Sequence, residues 1–130
     1  MGAWSSGPFD NDDAMDFVGN LLSVAEGERA QLVREALALP DGYVEVPEAS
    51  AAVAAAALVA ASNGMPVHAS AEVGQLIRSG TIPADEQVRT QAGAALSRVN
   101  GDECEWRELW DDAELLTEAA DILNRIRLHL

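Results

Sequence analysis

The chain contains no lysine: all eight of its basic residues are arginine. That excludes lysine Schiff bases and other catalytic-lysine chemistry. Cysteine occurs once, at Cys104, so no internal disulfide can form and a reducing, cytoplasmic setting is expected. The two histidines do no better for nucleophilic chemistry: His129 is the penultimate residue, and His68 has only Glu72 as an acid nearby in sequence. No Gly-x-Ser-x-Gly elbow occurs, so a serine triad has no anchor. Phosphate loops, dinucleotide fingerprints, zinc spacings and basic stripes are missing too. The longest apolar run, Ala49 to Ala61, is broken by Ser50 and is too short to span a bilayer. No basic and apolar signal-peptide regions follow Met1, which also fits a cytoplasmic protein.

What is present is acid. Against those eight arginines stand 22 acidic residues, giving a net charge of −14 on a chain of 130 residues. With 48% hydrophobic content the chain is expected to be one domain, 1–130, able to bury a core. The acids gather at the two ends: residues 1–50 and 101–130 are strongly negative, and residues 51–100 are neutral. Such a field repels nucleic acid and anionic membranes and favours a basic protein partner or a divalent cation. Solubility alone also accounts for it.

The densest stretch is the leader, Met1 to Asp16. Gly7 and Pro8 impose a turn, and Asp10 or Asn11 can cap a helix whose first turn carries Asp12 and Asp13 against the positive end of its dipole. Trp4 and Phe9 are the expected apolar anchors, which makes residues 1–10 an ordered leader. The motif, with Trp4, Gly7, Phe9, Asp10 and Asn11 as its structural core, resembles the opening of a bacterial family described only as a domain of unknown function. That opening reads Gly-x-Trp-x-x-Gly-x-Phe-Asp-Asn-Asp-x-Ala-x-Asp. Val46-Pro47-Glu48-Ala49-Ser50 and Glu108-Leu109-Trp110 are similar to it as well. Ser5 and Ser6 stand where Gly-Thr is usual. The resemblance implies a boundary and a fold, and no activity.

Hydrophobic spacing predicts an all-α fold: a single compact domain of about six helices around an alanine-rich central helix. The first runs from about Asn11 to Ser23, and the second from about Glu28 to Leu39. Tyr43 to Pro47 reads as an extended connector. The central helix runs from Pro47 to about Ser62, its interior nearly all alanine, with Asn63-Gly64 as a left-handed stop. Later helices are expected from Ser70 to Ser79, from Pro83 to Val99, from an Asp102 cap through Trp110, and from an Asp111 or Asp112 cap to about His129.

Two candidate sites follow. Asp10, Asp12, Asp13 and Asp16 offer hard oxygen for calcium or magnesium, although the spacing is not that of a calcium loop and helix capping already uses some of them. Trp106 and Trp110 share a helix face with Glu105 and Glu108 around them; exposed, they would bind a cationic partner, and buried, they are core. The expectation is a small, acidic, non-enzymatic protein-binding module of the immunity or antitoxin kind. The alternative is a carboxylate-based divalent metal site, catalytic or regulatory. Oligomeric state is open.

Overall fold

The computed structural model describes residues 7–67 and 70–130. Among them are seven α-helices, α1 (Asp12–Ser23), α2 (Arg29–Leu37), α3 (Val46–Ser62), α4 (Ala71–Ser79), α5 (Glu86–Val99), α6 (Glu105–Asp112) and α7 (Leu116–Arg127). A 3₁₀ turn at Glu26–Glu28 leads into α2. Among the described residues there is no β-sheet. The count is one above the total of about six expected, and each of the seven corresponds to one of the segments that hydrophobic spacing marks out.

Each outer helix buries one stripe. In α1 it is Ala14, Val18 and Leu21; in α5, Val88, Ala92, Ala95, Leu96 and Val99; in α7, Ala119, Leu123 and Ile126. These i, i+3, i+4, i+7 spacings put every apolar side chain of the stripe over the same line on the core. Helix α3 has no polar side along its middle: from Ala49 to Ala61 every residue except the half-buried Ala51 is buried. It packs against each of α1, α2, α4, α5, α6 and α7. Alanine makes this possible, because a side chain of one carbon lets neighbouring backbones approach from several directions.

The helix ends explain where the chain turns. Asn11 caps α1, its Oδ1 accepting the Ala14 amide at 2.8 Å, with Asp12 and Asp13 in the first turn. Phe9, just before this cap, is buried at 5% exposure and holds residues 7–10 to the body. Trp4 lies outside the described residues. At the end of α3 the Met65 amide reaches the Ala60 carbonyl at 3.0 Å and the Gly64 amide reaches Ala61 at 3.1 Å. Gly64 has φ +109, so the helix stops with a paired set of carbonyls and a left-handed glycine.

Four expected boundaries are corrected. Helix α2 begins at Arg29, after the 3₁₀ turn. Pro83 does not open α5: Ile82 is buried and anchors an extended approach, and the helix starts at Glu86. Asp102 does not cap α6. It pairs with Arg107 at 2.7 Å, and Cys104 occupies the cap position. Asp111 and Asp112 end α6 instead of capping α7, because the chain turns at Glu114, whose φ is +62. The Leu115 amide then returns to the Trp110 carbonyl at 2.9 Å. The turn leaves Leu115 at the mouth of α7, 38% exposed and not in the stripe.

One arginine is buried. Arg29, 6% exposed, donates from Nε to the Leu21 carbonyl at 2.9 Å and from Nη1 to Thr81 Oγ1 at 3.1 Å. It places a cation at the negative end of α1 and joins α1, α2 and the loop after α4.

Candidate functional site

The connector between α2 and α3 lies alongside the start of α6. Val44 and Cys104 form a parallel bridge: the Val44 amide donates to the Glu103 carbonyl at 2.9 Å, and the Glu105 amide donates to the Val44 carbonyl at 2.8 Å. Both bridged side chains are fully buried. Burial pushes the Cys104 thiol up, against a smaller opposing pull from the backbone amides of Trp106 and Arg107. The thiol is therefore an apolar filler of the seam, not a nucleophile.

Alternation across this seam turns the neighbours of Val44 outward. Tyr43 is 48% exposed, and its hydroxyl donates to Glu108 Oε2 at 2.8 Å. That hydrogen bond, reinforced by the Glu108 and Glu105 charges, pushes the phenol up to about 12. Glu105 Oε1 accepts the amide of Val46, the first residue of α3, at 2.8 Å. Val46 would otherwise be an uncapped donor, since the Glu45 side chain makes no cap bond and Pro47 has no N–H. Of the four residues expected to bind a partner, Glu105 thus has structural work and Glu108 holds the tyrosine.

Trp106 and Trp110 are core. They are 5% and 8% exposed, with ring centroids 6.2 Å apart in an edge-to-face arrangement. As buried side chains they carry α6 on the body and cannot themselves be the contact surface. What faces outward on that helix is Glu105, Glu108, Asp111 and Asp112, on the connector Asp41, Tyr43 and Glu45, and in the first turn of α3 Glu48.

Nearby arginines are already engaged. Arg98, from α5, donates through Nη2 to the Pro40 carbonyl at 2.7 Å and the Gly42 carbonyl at 2.9 Å, clamping the turn whose Gly42 has φ +82. Arg107 pairs with Asp102. Arg98 keeps its charge there, since carbonyls are neutral acceptors, but two arginines do not balance Asp41, Glu45, Glu105, Glu108, Asp111 and Asp112, and the face stays acidic. Neither Tyr43 nor Arg98 was among the residues singled out from sequence. Tyr43 left one signal, being the chain's single tyrosine, in an alternating segment; Arg98 left none, because its acceptors are backbone carbonyls far away in the chain.

The leader aspartates do not converge. Asp12 and Asp16 are exposed on α1, Asp13 is half-buried in its first turn, and Asp10 sits in the turn closed by its own amide to the Gly7 carbonyl at 3.1 Å. Among the described residues no group of three or more histidine, cysteine or acidic side chains could hold a metal ion. Gly7 to Asp10 instead border a cavity of about 200 Å³, closed by Met65 to Val67 and by Ile122 and Ile126 of α7.

The fold and its acid face define an all-helical domain, and among the described residues no helix is long and apolar enough to cross a membrane. The chain belongs to the family described as "Domain of unknown function (DUF4259)", whose model matches residues 2–121. No curated protein matches it, and no solved structure does.

Proposed function

We propose that this protein is a small acidic recognition module that binds a basic protein partner through the face made by the 41–48 connector and α6. It would act in the manner of an immunity or antitoxin protein that masks a basic active site. One observation carries this reading: the Val44–Cys104 pairing brings two acid-bearing segments together around an exposed tyrosine, where carboxylates outnumber the two local arginines, Arg98 and Arg107. Carboxylates confined to one face raise the local concentration of a cationic partner, and an aromatic ring among them accepts a guanidinium over its face. The buried Trp106 and Trp110 give that face a rigid backing.

Fluorescence anisotropy with a labelled penta-arginine peptide tests this. The pair Glu108→Gln with Asp111→Asn removes two charges from the face, and Asp12→Asn with Asp16→Asn removes two from α1. The first pair should weaken binding by about fivefold and the second hardly at all. Equal losses would mean that bulk charge alone attracts the peptide, and absence of binding to the unaltered protein would remove the reading altogether.

A further inference from the structure

We propose that the same partner seats one bulky aliphatic side chain, flanked by arginines, in a groove where the end of α2 meets the start of α3. This rests on the acidic-module reading above. The groove measures about 320 Å³ and has Ala36, Leu39, Pro47 and Ala51 as its apolar lining. The groove is open on one side, so a leucine side chain laid in it is covered on its inner face and left in contact with solvent on the other. Glu35 and Glu48 stand at its rim. Both are exposed; Glu35 takes one contact, from Gln31 Nε2 at 3.2 Å.

Two features choose the occupant. The wall offered by α3 has little for a polar group to pair with, since Pro47 has no N–H and the Val46 amide is taken by Glu105. The rim is anionic on balance: Arg34 faces Asp85 at 3.4 Å, and Arg98, held on the Pro40 and Gly42 carbonyls, offsets one of the two glutamates. An acidic segment is repelled there, and an apolar residue between arginines satisfies floor and rim together. The groove also continues the proposed face, because Pro40 and Pro47 flank the connector that carries Tyr43.

Two labelled peptides of equal charge, Arg-Arg-Leu-Arg-Arg and Arg-Arg-Ala-Arg-Arg, provide the test. The unaltered protein should bind the leucine peptide about tenfold more tightly, the gain expected when roughly half of the surface of the three added carbons leaves water. Ala51→Leu, which fills the groove from within, should abolish that preference and leave the alanine peptide's affinity unchanged. Equal affinities for the two peptides, or a preference that survives Ala51→Leu, overturn the groove and leave the acidic module standing. Failure of both peptides to bind overturns both.

Discussion

Glu105 is tied to the connector twice: its carboxylate accepts the Val46 amide at 2.8 Å, and its own amide donates to the Val44 carbonyl at 2.8 Å. A residue at the start of α6 therefore caps the start of α3, a task normally done by a side chain next to the helix it serves. Glu105→Ala leaves the Val46 donor without that partner and should destabilise the protein by about 1–2 kcal/mol. Glu105→Gln keeps an acceptor oxygen and should recover more than half of that loss. Urea unfolding of the two variants measures both; equal losses would mean that charge and not capping matters at this position.

The alanines of α3 are set by space. Ala55 is fully buried on a helix that other helices surround. Ala55→Leu should cost about 1–3 kcal/mol by overpacking, with a fall in Tm on the order of 5–10 °C. Ala94→Leu, on the exposed side of α5, adds the same atoms in the open and should stay within about 0.5 kcal/mol of the parent.

Glu114 holds a left-handed backbone, φ +62, at a position where helices usually end on glycine. Relief of the contact between its Cβ and the following carbonyl outweighs the extra freedom glycine gives the unfolded chain. Glu114→Gly should raise stability by about 0.5–1 kcal/mol, read as a higher urea midpoint. A lower midpoint would show that the Glu114 side chain makes a contribution larger than the strain.

Tyr43 is the chain's one tyrosine, so its phenolate absorbance reports a single site. In the folded protein the titration should centre near 12, against an ordinary value of 10.0, and Glu108→Gln should move it back toward 10.0. Because the folded value lies above the unfolded one, the Tyr43–Glu108 bond supports the fold below about pH 10 and loses that support as pH rises through 12. An unshifted titration in the parent protein would place the hydroxyl away from Glu108.

Local rules reached most of the helices. Burial of Val88, Ala92, Ala95, Leu96 and Val99 follows directly from their spacing, and Asn11 and Gly64 act as the cap and the stop their residue types suggest. The misses have one cause. Asp102, Asp111 and Asp112 are good capping residues, and tertiary geometry gave them other positions: an ion pair with Arg107 for the first, the last turn of α6 for the others. Leu115 stands four residues before the buried Ala119, a helical spacing, yet the turn at Glu114 rotates it outward. The candidate face was half visible. Glu105, Glu108 and the tryptophans could be picked out as a group, but their sorting into outside and inside depends on the bridge to Val44, and nothing in either segment alone announces it.

That bridge has a consequence for folding and for timing. Between Val44 and Cys104 lie α3, α4 and α5, so the seam is a contact of high sequence separation and closing it costs loop entropy that local helix formation does not. A nascent chain released before α6, or one unravelled at α3, carries the same carboxylates scattered along a string. Whatever docks on the seam would distinguish finished molecules from unfinished ones, and its occupancy would follow the folded fraction, hardly changing while the domain is stable and falling steeply once the margin is gone.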